Sequence, residues 1–111
     1  MVARRRPARG DVYLVSLDPA HGREIRKTRP CLIVSPDDLN EFLSTVIVAP
    51  MTTGGYKAGW RIPCRFRRKD GYVATDQIRA VYAGRLVKRL GALDAATTAA
   101  TLSVLQEMFA A

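Results

Sequence analysis

Metal-binding residue types are scarce in this 111-residue sequence, which contains two cysteines and one histidine. Cys31 and Cys64 each lie within an apolar run, and neither a Cys-x-x-Cys spacing nor a cluster of His, Cys and carboxylate residues occurs. The pattern predicts two buried thiols that act as small hydrophobic side chains. It also favours a protein that uses no metal and no other cofactor.

Long hydrophobic runs are also missing. No run approaches the roughly 20 apolar residues that a transmembrane helix needs, and no apolar stretch follows the arginines of the start, MVARRRPARG, as it would in a signal peptide. Repeats and low-complexity segments are absent. We therefore expect a cytoplasmic protein with a basic, flexible N-terminal tail over residues 1–9 and one domain over residues 10–111.

Acidic residues are outnumbered: 18 Lys and Arg stand against 10 Asp and Glu, which gives a net charge of +8. Most of the basic residues are Arg, whose planar guanidinium makes bidentate contacts with phosphate. The balance favours a nucleic acid as the partner. The alternative is a basic surface that serves only solubility.

Short apolar and β-branched runs dominate what is present. They predict strands at residues 11–17, 30–35, 45–51, 60–67, 72–78 and 80–83, with a weaker strand or turn at 86–90. The fourth and fifth strands are expected to form a hairpin across Arg68–Gly71, because Asp70–Gly71 is a typical tight-turn pair. Two polar loops, at 18–29 and 52–59, complete the strand region.

Two helices are expected. Ser35 is the predicted N-cap of a short helix after the second strand, with Pro36 at its first position. Asp94 caps a helix over residues 95–109, whose apolar face carries Leu102, Leu105 and Phe109. Five or six short strands and one terminal helix predict a small antiparallel β-barrel of the SH3-like or oligonucleotide-binding type.

Seven short motifs carry a family resemblance. They are Gly10–Asp11–Val12–Tyr13, Leu17–Asp18–Pro19, Gly22–Arg23–Glu24, Lys27–Thr28–Arg29–Pro30, Ala49–Pro50–Met51–Thr52, Asp76–Gln77–Ile78–Arg79 and Arg85–Leu86–Val87. None is diagnostic alone, but in order and spacing they resemble the MazF/PemK toxin family over about residues 9–109. The resemblance implies a mainly β fold, an SH3-like barrel of twisted antiparallel sheet, that forms a homodimer. It also implies metal-independent cleavage of single-stranded mRNA at short sequences, and neutralisation by a cognate antitoxin protein.

Site residues follow from the same motifs. The resemblance assigns Arg29 as the catalytic arginine and Thr52 as the catalytic hydroxyl, and Glu24 is our third catalytic candidate. Expected RNA-binding residues are Arg23, Lys27, Thr53, Tyr56, Asp76, Gln77 and Arg79. A His/Arg acid–base pair of some relatives is absent, because this chain has Arg23 and Ala74 at those positions, and its only histidine, His21, is displaced from the motif.

The chemistry can be argued without the family. Attack of a ribose 2′-OH on the adjacent phosphate needs a proton acceptor, a proton donor and stabilisation of charge on the phosphoryl oxygens. Arg29 suits the last task, and the Thr52 hydroxyl adds a donor. A guanidinium pKa above about 12 makes Arg29 a poor general base. Glu24 or Asp76 would then accept the proton, and the general acid stays unassigned.

Each candidate also has a structural alternative. Arg29 could form a strand-start salt bridge, the Thr52 hydroxyl could bond a turn, and Asp76 with Arg79 could be a structural pair. Trp60 is expected in the core or a dimer interface, while Tyr56 is the better base-stacking candidate.

Two other functions compete with the enzyme. A basic barrel could bind RNA without cutting it, leaving the catalytic candidates unused. A gyrase-poisoning toxin of the same fold is the second alternative, but those relatives end their helix in Trp-Gly-Ile, whereas this chain ends Met108–Phe109–Ala110–Ala111.

Overall fold

The computed structural model describes residues 6–19, 22, 24–25 and 27–111. Within them the chain forms β1 (Asp11–Ser16), β2 (Thr28–Ile33), α1 (Asp37–Phe42), β3 (Thr45–Thr52), β4 (Arg61–Phe66), β5 (Lys69–Ala74), β6 (Arg79–Tyr82), β7 (Leu86–Ala92) and α2 (Ala95–Met108). One 3₁₀ turn at Thr75–Gln77 precedes β6, and another at Ala83–Arg85 precedes β7. The expected mainly β fold, with a short helix after the second strand and a helix at the C-terminus, is confirmed. The described residues form seven strands, where five or six were expected.

The strands form one antiparallel sheet in the order β4-β5-β3-β2-β1-β7, with β6 paired to β3. The sheet is open, but its two outer strands approach each other through side chains. A Cβ placed on Gly91 of β7 would lie 3.5 Å from the ring of Phe66 in β4. The guanidinium of Arg67 donates to the carbonyl of Leu90. The sheet therefore curls into a barrel-like shape whose seam is closed by side chains.

Both faces of the central strands are buried. Successive residues of a strand point to opposite faces, so Val12 and Leu32 enter one hydrophobic cluster while Tyr13 and Cys31 enter the other. Leu102 of α2 packs against the first cluster. This two-sided burial explains why β2 and β3 appear in the sequence as continuous apolar runs rather than as alternating ones.

The two thiols are free and buried, as predicted. Burial raises the pKa of Cys31 to about 12 against the opposing charge of Arg79. Burial, reinforced by the carboxylates of Asp94 and Asp70, raises the pKa of Cys64 to about 11. Both therefore stay protonated at neutral pH and act as packing groups.

The predicted turn of the β4–β5 hairpin was wrong. Its two turn residues are Arg67 and Arg68, with φ of 51° and 66°, and Asp70 and Gly71 pair within the strands instead. The reason is the close approach of β3: a Cβ on residue 71 would lie 2.1 Å from the carbonyl oxygen of Thr52. Glycine is needed there to admit a neighbouring strand and not to form a turn.

The helix termini agree only in part with those predicted from the sequence. Asp94 caps α2 as predicted, accepting from the Thr97 amide at 3.0 Å. Phe109 lies past the end of α2 and is 73% exposed, so its placement on the apolar face was wrong. Ser35 does not cap α1, because its hydroxyl donates to Asn40 Oδ1 at 2.5 Å and Pro36 holds the N-cap position.

Two further expectations concern the tail and Trp60. Arg9, the last residue of the predicted tail, is anchored: its amide donates to Asp37 at 2.7 Å and its Nε to the Val34 carbonyl at 2.9 Å. Residues 1–5 lie outside the described residues.

Trp60 is 45% exposed and so is not a core residue.

Candidate functional site

Arg29 of β2 and Thr52 of β3 lie on neighbouring antiparallel strands. The pairing of these strands ends at Cys31↔Pro50, and each of the two site residues lies two positions beyond that end on its own strand. Both residues line one cavity of about 340 Å³. Arg29 therefore belongs to β2 and does not lie at the end of the preceding loop, since β2 begins at Thr28.

The cavity is basic. Besides Arg29, its wall includes the cationic side chains of Arg67 and Lys69, with Asp70 as its one carboxylate. Asp70 is offset by Arg65, whose Nη1 lies 3.2 Å from Asp70 Oδ1. A concave surface with three cations and one neutralised anion is suited to a phosphate group.

The Thr52 hydroxyl organises the loop that follows β3. It accepts from the Gly54 amide at 3.1 Å and donates to the Gly54 carbonyl at 3.2 Å. These bonds hold the backbone of Thr53, another predicted site residue, at the edge of the cavity. Gly71 supports the same point from the other side, because only a residue without a Cβ lets β5 approach the Thr52 carbonyl so closely.

Glu24 lies in a different concavity. It lines a smaller cavity together with Asp76, Gln77 and Arg79, which were predicted as RNA-binding residues. Pro50 of β3 also contributes to this second cavity, so both cavities border the end of the same strand. Within one chain, Arg29 and Thr52 therefore share one cavity, and the third catalytic candidate, Glu24, lies in the other.

Asp76 is committed to an ion pair. Arg61 Nε donates to Asp76 Oδ1 at 2.6 Å and Arg61 Nη2 to Oδ2 at 2.8 Å. Partial burial raises the pKa of Asp76, but the hydrogen bonds and charge of Arg61, with backbone and Gln77 hydrogen bonds, outweigh it and hold that pKa below its usual value. The carboxylate is therefore a weak proton acceptor.

Arg61 was missed by the sequence reasoning, although it is 8% exposed and central to this region. Besides binding Asp76, its guanidinium lies 5.2 Å from the centroid of the Tyr56 ring. Tyr56 remains 57% exposed, so one face of its ring is available for stacking. The available signal was that an Arg within a largely apolar strand needs a partner; nothing in the spacing identified Asp76.

The described residues between β1 and β2 form several hydrogen bonds that involve predicted site residues. Gln77 accepts from the Ile25 amide at 3.3 Å, and Arg79 Nη1 donates to the Leu17 carbonyl at 3.1 Å. The Lys27 amide donates to Asp18 at 3.0 Å. Gln77 and Arg79 therefore help to position this loop. Arg23 and His21 lie outside the described residues.

Metal clusters and membrane-spanning helices are absent from the described residues. In the described part of the chain, no three His, Cys, Asp or Glu side chains are grouped closely enough to hold a metal ion. None of the helices formed by those residues is long and apolar enough to cross a membrane.

Together these features define a small antiparallel β domain with a basic cavity between its central strands. A family model described as "PemK-like, MazF-like toxin of type II toxin-antitoxin system" matches residues 8–109. The chain belongs to this family.

Individual relatives agree. The endoribonuclease MazF of Staphylococcus epidermidis is 38% identical over 90 residues, covering 74% of this chain and 73% of the relative. The endoribonuclease toxin ChpB of Escherichia coli K12 is 38% identical over 98 residues, covering 82% and 84%. In fold, the chain is similar to MazF of Deinococcus radiodurans, with a TM-score of 0.83, 20% identity and coverage of 95% and 97%. It also resembles a mycobacterial endoribonuclease solved in complex with its cognate antitoxin, with a TM-score of 0.77, 25% identity and coverage of 91% and 92%.

Proposed function

We propose that this chain, the toxin of a type II toxin–antitoxin pair with endoribonuclease activity, cleaves single-stranded mRNA in the cytoplasm without a metal. A ribose 2′-OH attacks the adjacent phosphorus and the P–O5′ bond breaks. The products carry a 2′,3′-cyclic phosphate and a 5′-hydroxyl, whose oxygen takes its proton from water. The chain's family and the endoribonuclease relatives support the activity. The mechanism rests on one observation, the meeting of Arg29 and Thr52 at one basic cavity.

Arg29 stabilises the charge that develops on the phosphoryl oxygens. Its guanidinium carries a permanent positive charge and offers several N–H donors in one plane. This arrangement matches the phosphoryl oxygens in the transition state of cleavage. Arg67 and Lys69 on the same wall add positive potential that attracts the RNA backbone. The RNA therefore binds with its scissile phosphate in the cavity.

Thr52 acts at the same phosphate. Its hydroxyl carries one proton, which it now donates to the Gly54 carbonyl, so donation to a phosphoryl oxygen requires it to leave that carbonyl. Its bond from the Gly54 amide can persist and keep the loop in place. Thr52→Val is accordingly expected to reduce cleavage less than the loss of Arg29 does.

Glu24 is the proposed proton acceptor. Asp76 is unsuited to the task, because both its carboxylate oxygens bind Arg61 and its pKa is low. Glu24 lies in the second cavity, with the RNA-binding candidates Gln77 and Arg79. This assignment requires the Glu24 carboxylate to come within hydrogen-bond distance of the attacking 2′-OH when RNA is bound, because that hydroxyl is adjacent to the phosphate in the Arg29 cavity.

Protein partners complete the proposal. We expect a homodimer as the active species and a cognate antitoxin that inhibits it. One mycobacterial endoribonuclease of this fold was solved with such an antitoxin.

The test compares chemistry with binding. Purified protein in excess EDTA should cut a long single-stranded RNA into fragments with 5′-hydroxyl ends. Under single-turnover conditions with saturating protein, Arg29→Ala should lower the cleavage rate by about 10²-fold or more, as expected for the loss of one transition-state donor. RNA affinity should change far less, because one phosphate contact among several is lost.

A control removes charge from the basic N-terminal segment. Deleting residues 2–6, which include Arg4, Arg5 and Arg6, should weaken RNA binding and leave cleavage at saturation near the parental rate. Parental cleavage by fully bound Arg29→Ala would refute the site. RNA that is retarded on a gel but never cut by the parental protein would favour the non-catalytic binding function.

A further inference from the structure

The β4–β5 hairpin turns on two arginines in an unfavourable backbone conformation. Phe66 pairs with Lys69, so the connection has two residues, and Arg67 and Arg68 have φ of 51° and 66°. A two-residue turn of this kind needs positive φ at both positions and favours Asn followed by Gly. Side chains with a Cβ are disfavoured there. Two arginines thus occupy positions that other residues would fill more stably.

The same hairpin forms part of the wall of the Arg29–Thr52 cavity. Arg67 and Lys69 both line it. The guanidinium of Arg67 lies 5.6 Å from the centroid of the Phe66 ring and donates to the Leu90 carbonyl across the seam of the sheet. An arginine has five N–H donors, so this bond fixes the position of the side chain and leaves donors for a ligand.

A ligand for this surface must be an anion. The carboxylate on the cavity wall, Asp70, is paired with Arg65 next to the turn, so it does not neutralise the positive charge of residues 67–69. Backbone strain held at the edge of a ligand cavity commonly accompanies function. The strain and the charge are independent observations, and they coincide at the same residues.

We propose that the hairpin tip, residues 67–69, is a phosphate-binding arm that holds the RNA backbone next to the scissile phosphate. This inference rests on the proposed function. The arm contributes affinity through neighbouring phosphates and takes no part in bond cleavage. It reads no base sequence, because phosphate contacts are the same for every nucleotide.

The experiment uses three single variants and one double variant of the full-length protein. Arg68→Gly removes one charge and relieves strain; Lys69→Gln removes one charge at an exposed strand residue; the double variant removes both. Lys88→Gln is the matched control, because Lys88 is an exposed lysine of β7 that lines a different cavity. Affinity is measured against salt by fluorescence anisotropy. The probes are a labelled 20-nucleotide single-stranded RNA and its all-deoxy equivalent, which lacks the 2′-OH and cannot be cut by it.

Each single-strand phosphate contact adds about 0.7 to the log–log salt slope, which is about fivefold in affinity between 1 M and 0.1 M salt. The double variant should therefore lose roughly 25-fold in affinity at 0.1 M salt for both strands, with a slope smaller by about 1.4. Lys88→Gln should stay within about twofold of the parent. Arg68→Gly should also raise Tm by a few degrees, because Gly adopts φ of 66° without penalty. At saturating protein, Arg68→Gly should cleave within about threefold of the parental rate, because Arg68 is not among the residues that line the Arg29 cavity.

Several results would overturn the arm. The proposal fails if the double variant binds both the RNA and the all-deoxy strand within twofold of the parental affinity. It also fails if the Tm of Arg68→Gly is no higher than parental, or if Arg68→Gly shows a large loss of cleavage at saturation, which would place the hairpin in the chemistry. If the parental protein leaves RNA intact, the proposed cleavage fails, while binding of the all-deoxy strand still decides on the arm.

Discussion

Arg61 connects two candidate RNA-binding residues, Asp76 and Tyr56, through its guanidinium. Its buried guanidinium satisfies Asp76 in a bidentate pair and supports the ring of Tyr56 above it. Because Asp76 begins the segment that carries Gln77 and Arg79, this one ion pair links the loop after β3 to the residues that position the loop after β1. It is a structural contact that orders the candidate site residues Gln77 and Arg79.

Asp76→Asn should destabilise the fold by about 2 to 3 kcal/mol at neutral pH, because it leaves the buried charge of Arg61 without its counter-ion. The matched control is Asp70→Asn, which breaks the Arg65–Asp70 pair, whose side chains are 65% and 77% exposed. Such exposed pairs contribute at most about 1 kcal/mol. Urea unfolding of both variants checks the contrast. Equal losses would show that the Arg61–Asp76 pair contributes no more than a surface pair.

The same pair predicts a pH dependence. The folded-state pKa of Asp76 is lowered, so its stabilisation is fully present above the ordinary Asp value of about 4 and is lost as pH falls through the folded-state pKa. Tm of the parental protein should therefore decline below about pH 4 more steeply than Tm of Asp76→Asn. Parallel Tm profiles for the two proteins from pH 7 to pH 3 would contradict this.

At the scale of the element, β5 is fitted against the end of β3 by Gly71. A Cβ at this position would lie 2.1 Å from the Thr52 carbonyl oxygen and 3.0 Å from its carbon, so backbone must move. Gly71→Ala should cost about 2 kcal/mol in the free energy of unfolding, as overpacking does. It should also slow RNA cleavage at saturating protein, because Thr52 shifts away from Arg29.

Gly59→Ala is the control for that variant, since a Cβ at residue 59 has no atom within 4 Å. Its stability and its cleavage rate should stay near the parental values. If Gly71→Ala matched it in both measurements, β5 would not be what fixes the position of Thr52.

The strands and α2 could be predicted from the sequence because their signals are local. The apolar runs of β2 and β3 and the Asp94 cap depend on residues that are close in the chain. The β4–β5 turn could not, since Asp70–Gly71 has the right local chemistry but Gly71 is used against a strand some 20 residues away. β7 looked weak for a similar reason: its pairing partner is β1, at the other end of the chain.

The candidate site follows the same division. The motifs predicted that Arg29 and Thr52 act at one phosphate, and both residues line one cavity just beyond the paired part of β2 and β3. The separation of Glu24 from this pair, the role of Arg61 and the location of the hairpin arginines depend on how the sheet curls. Curvature of this kind leaves no pattern in the sequence.

On the scale of the whole molecule, large hydrophobic side chains remain exposed in one region that no described element covers. Phe42 and Leu43 end α1 with 85% and 50% exposure, and Tyr82 ends β6 with 63%. The pairing of Thr45 with Tyr82, together with a bond from the Ala83 amide to the Ser44 carbonyl at 2.8 Å, brings them to the same edge. We call Phe42, Leu43 and Tyr82 the apolar patch. Side chains of this size gain free energy from burial in a protein contact.

The apolar patch is therefore the predicted contact surface of the homodimer. Light scattering at micromolar concentration should give twice the chain mass of 12.2 kDa. Tyr82→Lys should shift the protein to the monomer, because a charge buried in such a contact lacks a partner. Phe109→Lys is the matched control: it places the same charge on an aromatic residue that is 73% exposed at the end of α2, outside the patch, and should leave the dimer intact. A dimer that survives Tyr82→Lys but not Phe109→Lys would move the interface to the helix end, and a parental monomer that still cleaves RNA would exclude dimerisation as a requirement for activity.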